Sequence, residues 1–292
     1  MKSSILFANK NNLKYANTFN GLNIVLFLMT VLFYANTLQA QGSLLLTPKR
    51  IVFEGKKTTE SLNLANSGKD TARYVISLIN LRMKEDGSFE EISQADATSI
   101  SATPYIRYFP RTVTLAPNEA QVVKLQIYNS SKLSKGEYRS HLYVRALPKS
   151  ALLGEIEPEE TSSIGVKLTP IFGISLPVII RVGESTATVN ITDLNLTRSE
   201  DSPSLAMNLK RSGNMSVYGD IIVKHISPNG VSTVVGNLKG LAVYSPNSLR
   251  NLVLPLNNKI LERGNKGKLL VQFYSSLDGK DKKIAESELA LQ

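Results

Sequence analysis

Nearly every apolar stretch of this chain is short and repeats with a period of two, the spacing that places alternate side chains on opposite faces of a β-strand. Val123, Leu125 and Ile127 alternate in this way, as do Leu142, Val144 and Ala146. The runs Leu44 to Phe53, Ser61 to Ala65, Arg73 to Met83, Val122 to Tyr128 and Glu137 to Leu147 are rich in β-branched and aromatic residues. Asp86-Gly87 and Pro117-Asn118 supply turns between them. A second series follows Val182: Thr188 to Ile191, Leu205 to Leu209, Asp220 to Ile226, Leu252 to Leu256, Lys268 to Tyr274 and Ile284 to Leu291. Its turns are Pro228-Asn229-Gly230 and Asp278-Gly279. Helical periodicity is nearly absent. The pattern predicts an all-β chain of two tandem immunoglobulin-like β-sandwich domains, 41–181 and 182–292. The boundary falls at Arg181-Val182-Gly183-Glu184, where an apolar run gives way to a polar segment.

Composition narrows the setting. The chain of 292 residues has no cysteine, so neither disulfides nor thiolate metal sites hold it, and stability must come from two hydrophobic cores. Residues 1–40 carry Lys2, Lys10 and Lys14 with no acid, then an apolar run from Leu22 to Ala35 and Asn-Thr-Leu-Gln-Ala-Gln. This reads as a secretory signal peptide that exports the chain. Its long polar start and Leu38 at the minus-three position leave two alternatives, a later start site or an uncleaved anchor. The apolar run is shorter than the roughly 20 residues of a bilayer span, and nothing later approaches one. Cleavage removes three lysines and lowers the net charge from +10 to +7. No Lys/Arg cluster is dense enough for nucleic acid.

Catalytic patterns are missing. His141 and His225 are the only histidines, each inside a predicted strand and without a nucleophile or metal partner at a useful spacing, so both are expected to be half-exposed sheet residues. Glu90-Glu91 and Glu159-Glu160 are neighbours in sequence and would face opposite ways on a strand. The sequons at Asn129, Asn190, Asn195 and Asn214 matter only in a eukaryotic secretory route. The expectation is a non-enzyme with no cofactor and no metal.

The run from Ile164 to Arg181 is the most informative stretch. Ile164, Val166 and Leu168 would share one face of a strand. Pro170 and Pro177 each lack an N–H for a ladder, which favours an edge or bent strand. An apolar edge is a hazard unless it is offered to another chain; the alternative is an ordinary strand that closes its own sheet. Lys149 to Ser163, with Leu152, Leu153, Ile156 and four glutamates around Pro158, links two strands at greater length than a hairpin needs. Such loops are functional or disordered.

Over residues 43 to 181 the chain resembles the PapD-like periplasmic chaperones of chaperone-usher pilus assembly. Leu-Thr-Pro-Lys-Arg-Ile-Val-Phe-Glu-Gly at 46 to 55 is similar to the family's opening strand, and Ser-Leu-Asn-Leu-Ala-Asn-Ser at 61 to 67 to its next one. The stretch from Arg111 to Leu125 resembles the Pro-led turn into a later strand, and Gly136 to Pro148 the penultimate strand. The second domain matches loosely, through Asn208 to Gly219, with Gly213-Asn214 and Tyr218-Gly219.

The resemblance implies a function. Pilus subunits of this family lack their last strand, and the chaperone lends one, a mode of β-strand addition known from chaperone–pilin pairs. Here the lent side chains would be Ile164, Val166 and Leu168, with Ile171 as a fourth, each contributing about 1.5–3 kcal/mol when buried. In the family an Arg and a Lys in the cleft between domains bind the subunit's terminal carboxylate. Arg50 fits that Arg, whereas alignment on Pro177 puts Phe172 or Gly173 at the Lys; Lys167 would serve only if a bulge at Pro170 shifted the register. A solvated strand position is the other reading of Arg50. Implied partners are pilus or fimbrial subunits and an outer-membrane usher, with self-association as a way to cover the strand. A structural or adhesive surface protein of two sandwiches is the alternative, and a module binding cell-envelope polymer is a third.

Overall fold

The structure, a computed structural model, describes residues 44–93, 100–147, 171–197, 203–257, 266–277 and 280–291. The expected leader at 1–40, the linker at 149–163 and Ile164, Val166, Lys167 and Leu168 lie outside these residues. The first lobe contains β1 (Leu44–Thr47), β2 (Ile51–Phe53), β3 (Thr59–Asn66), β4 (Ala72–Ile79), β5 (Leu81–Met83), β6 (Phe89–Glu91), β7 (Ile106–Phe109), β8 (Thr112–Leu115), β9 (Ala120–Ile127), β10 (Gly136–Ala146) and β11 (Gly173–Val182). One sheet has the order β1-β3-β9-β7, and the other β2-β11-β10-β4-β8.

The expected strand from Leu44 to Phe53 is two strands. Pro48 has no N–H to continue a ladder, and there the chain crosses from one sheet, where β1 pairs antiparallel with β3, to the other, where β2 pairs parallel with β11. Pro110 marks the same kind of crossing between β7 and β8. These crossings bind the two layers of an immunoglobulin-like sandwich. Between them lie Leu62, Leu64, Val123 and Leu125 from one sheet and Leu142, Val144, Leu176, Val178 and Ile180 from the other, all buried in one core. Their spacing of two is the alternation visible in the sequence.

The second lobe contains β12 (Thr188–Thr197), β13 (Ser204–Ser212), β14 (Val217–Ile226), β15 (Ser232–Val243), β16 (Leu249–Pro255), β17 (Gly267–Leu277) and β18 (Lys280–Leu291). Its sheets have the orders β12-β13-β16 and β15-β14-β17-β18. Alternate residues of β14, including Ile221 and Val223, point into a second core with Leu205, Leu209, Leu269, Val271 and Phe273. The pairing of β15 with β14 slips twice, between Gly219 and Ile221 and between Val223 and Lys224. Between the two bulges the residue packed on the core is Leu238, opposite in parity to Val235, Leu241 and Val243 on either side, so β15 loses its strict alternation.

The first core runs to Val182 and the second begins at Ala187. A smaller cluster of Met83, Ile179, Ala242 and Tyr244 joins the lobes, and Leu44–Gln292 form one body. The hairpin of β5 and β6 contributes to this junction. Its turn at Asp86-Gly87 is fixed by the Asp86 carboxylate, which accepts the Ser88 N–H at 2.8 Å, and by Gly87 at φ +86°. The tip reaches across: the Asn251 N–H donates to the Glu85 carbonyl at 2.6 Å, and Asn247 Nδ2 to the Met83 carbonyl at 2.6 Å. The Arg250 guanidinium lies against Gly87, so any side chain there would collide with it. No helix among the described residues is long and apolar enough to cross a membrane.

Candidate functional site

β10 has two unlike faces. Leu142 and Val144 enter the first core, whereas Glu137, Arg139 and His141, on the opposite face, are buried against the second lobe. β11 repeats the arrangement with Ile179 and Arg181, and burial on both sides explains its continuous apolar run Val178-Ile179-Ile180. The seam between the lobes is therefore lined by charge.

Glu137 is the anion of that seam. Its Oε2 accepts from Arg181 Nε at 3.1 Å and from the Ser216 N–H at 3.0 Å, and its Oε1 accepts from the Ser216 hydroxyl. Arg181 Nη2 donates to the Ser216 carbonyl at 3.0 Å, so each lobe completes the other's polar groups. Arg139 donates to the Ser245 carbonyl at 2.9 Å and stacks on the Tyr244 ring, 4.3 Å from its centroid.

Arg50 stands immediately before β2 and is not the solvated strand residue of the alternative reading. Its guanidinium lies 3.9 Å from the centre of the Tyr218 ring, and its Nε is buried without a hydrogen-bond partner. Burial lowers its pKa, Arg181 adds to the lowering, and the nearby Tyr244, Tyr218 and Glu137 oppose it. Among the described residues no carboxylate lies within ion-pair distance of Arg50. A partly buried cation with no carboxylate at ion-pair distance can take up an added one through charge-assisted hydrogen bonds.

His141 is also more enclosed than a half-exposed sheet residue, at 3 % exposure, with Nδ1 unpartnered. The Phe89 ring meets it edge-on, with centroids 5.3 Å apart. Burial, and then the charge of Arg139, lower its pKa from 6.5 to about 3. The unfolded chain therefore binds this proton first, and stability is full above pH 6.5 and falls as the pH drops toward 3, by about 1.4 kcal/mol per unit. Urea unfolding should show a loss of about 2 kcal/mol between pH 6.5 and 5 that His141→Gln removes. An unchanged slope in the variant would assign the loss to other groups. His225, the second histidine, is buried and lies 3.0 Å from the Lys266 carbonyl through Nε2. Among the described residues no group of three or more His, Asp or Glu is placed to hold a metal.

The remaining feature is the outer edge of β11. β10 pairs with it over its length, but β2 covers only Val178 to Ile180 on the other side. Among the described residues nothing pairs with the outer edge of Gly173 to Pro177. Apolar side chains stand beside it: Ile171 is 47 %, Phe172 53 % and Ile174 40 % exposed. Phe172 and Ile174 extend the row of Leu176, Val178 and Ile180, whereas Ile171 precedes the strand and has the opposite parity. The Tyr143 ring lies over Gly173, which leaves no room for a lysine there unless that ring moves. A pocket of about 220 Å³ opens between the lobes, on the face of β10 and β11 that carries His141, Ser175 and Pro177. A larger groove of about 720 Å³ beside Phe109, Pro110 and Val122 has Lys124 as its one charged lining residue and lacks the buried charges of the seam.

Arg50, the anchor candidate of the sequence, lies at this seam. The row Glu137, Arg139 and His141, with Arg181, Tyr218 and Tyr244, was not legible from sequence. A charged face on an amphipathic strand ordinarily faces water, and only the second lobe turns this one inward.

The sequence matches no protein-family model and no curated protein. Among solved structures the chain is similar to the Pseudomonas aeruginosa CupB2 chaperone, at 12 % identity and TM-score 0.42 over 85 % of this chain and 100 % of that one. It is similar to the E. coli chaperone DraB at 14 % identity and TM-score 0.41, over 86 % and 97 %. A third is the CsuC-CsuE chaperone-tip adhesion subunit pre-assembly complex from archaic chaperone-usher Csu pili of Acinetobacter baumannii, at 15 % identity and TM-score 0.42, over 84 % and 98 %.

Proposed function

We propose that this protein is a periplasmic, non-enzymatic chaperone that completes the fold of pilus or fimbrial subunits by lending them a strand, and delivers them to an usher at the outer membrane. The leader at 1–40 accounts for export. The observation that carries the reading is the open edge of β11 from Gly173 to Pro177, which ends against β2 at the foot of Arg50. A guest strand added there must stop at Val178, because β2 already occupies the edge. If the guest runs parallel to β11, its last residue lies beside Arg50 and its carboxylate neutralises a partly buried cation. If it ran antiparallel, an ammonium would meet that cation instead. Charge therefore selects the parallel orientation.

Ahead of β11 in sequence stand Ile164, Val166 and Leu168, whose spacing of two suits insertion into an incomplete sandwich, followed by Ile171. Strand addition supplies ladder hydrogen bonds and apolar contacts together and needs no nucleotide. Lys167 is the remaining candidate for a second anchor cation. The alternative, an adhesive or structural surface protein, has no need of an exposed apolar edge beside an unpaired arginine. Self-association through the same edge would cover it in the absence of a guest.

The test is subunit capture by Arg50→Ala. Loss of a desolvated charge pair should weaken binding by about a hundredfold, measured by calorimetry with a purified subunit. Unchanged affinity would remove Arg50 from the site.

A further inference from the structure

The pocket between the lobes has walls that a carboxylate does not require. Met83, Phe89, Tyr244 and His141 line it together with Ser175 and Pro177 of β11. Ser175 and Pro177 belong to the segment whose outer edge is open. On a strand laid along that edge, side chains of one parity share the face of Ser175 and Pro177 and point toward the second lobe. Tyr244 is common to both features, since it lines the pocket and is close enough to Arg50 to act on its charge. Ser175 and Pro177 thus link the pocket to the strand along which the guest would lie, and Tyr244 links it to the surroundings of Arg50.

Its size and chemistry specify an occupant. A space of about 220 Å³ equals roughly seven water volumes, enough for one large side chain and too little for two. Phe89 stands 43 % exposed at the rim, with its ring 6.2 Å from that of Tyr244 and edge-on to His141, an arrangement open to a third ring. Met83, buried at 3 %, adds a polarizable thioether that favours contact with rings. His141 Nδ1 and Arg250 Nε, both on pocket residues, have no partners of their own.

We propose that this pocket reads the side chain at the carboxyl end of the guest strand and selects an aromatic one. The inference rests on the strand-lending reading and adds to it a specificity determined by Phe89, Tyr244 and Met83, separate from the charge of Arg50.

Short synthetic strand peptides of alternating Val and Thr, ending in Phe or in Ala with a free carboxylate, test it by fluorescence anisotropy with the full chain. The Phe-ended peptide should bind roughly tenfold more tightly or better. In Phe89→Ala that preference should shrink severalfold while affinity for the Ala-ended peptide stays the same, which also shows that the variant is folded. Equal affinities for the two ends, or a preference unaffected by Phe89→Ala, would overturn the proposal even if both peptides still depended on Arg50. Binding of neither peptide would remove the strand-lending reading together with it.

Discussion

Replacing Glu137 by Ala should destabilise the protein by about 3–5 kcal/mol, because it leaves Arg181 charged, buried and without its partner. Glu137 has a side-chain exposure of 1 % and Arg181 of 8 %, so water cannot replace the lost bond. The Ser216 N–H and hydroxyl lose their acceptors in the same step. Glu54, at 4.0 Å from Arg181 and more than half exposed, is too distant and too solvated to compensate. The loss should appear as a lower urea midpoint. Glu137→Leu combined with Arg181→Met should recover much of the stability, since removing both charges leaves neither stranded. A decrease of less than 1 kcal/mol for Glu137→Ala would mean that the seam is held elsewhere.

Substituting Asn at Ile164, Val166 and Leu168 together should leave the fold intact and abolish subunit capture. Three buried aliphatic side chains contribute about 5 kcal/mol or more to a lent strand, enough to turn a stable complex into one that does not survive purification. The core-facing part of β11 begins at Leu176, beyond the substituted positions, so the melting temperature should hold. Co-expression with a subunit followed by recovery of the complex measures the effect. Undiminished recovery would remove these residues from the interface.

Much of the fold was visible in residue spacing. Val123 and Leu125, or Leu142 and Val144, alternate because one side of their strands is core. β15 was missed because its two bulges, with Gly240 at φ +71°, offset the apolar residues from period two. β7 and β8, four residues each, were too short to establish a period, and Pro110 between them reads as a break, whereas it marks a change of sheet. At the proposed site, Arg50 was singled out through the residues around it in sequence. The charged side of β10 was not, because Glu137, Arg139 and His141 look like a solvated face until Tyr244 and Ser216 are brought against them by a segment about eighty to a hundred residues away. Phe89 gave no signal at all, since its place against His141 and Tyr244 depends on a hairpin that crosses the seam.

That hairpin bears on how the molecule comes apart. Its tip hydrogen-bonds Asn251 and Asn247, and Met83 sits among Ile179, Ala242 and Tyr244. Severing the chain near Gly183 would expose this apolar cluster on both fragments and separate Glu137 from Ser216. Neither sandwich is thus a freestanding module, and thermal melting should proceed as one cooperative transition in which both halves are lost together.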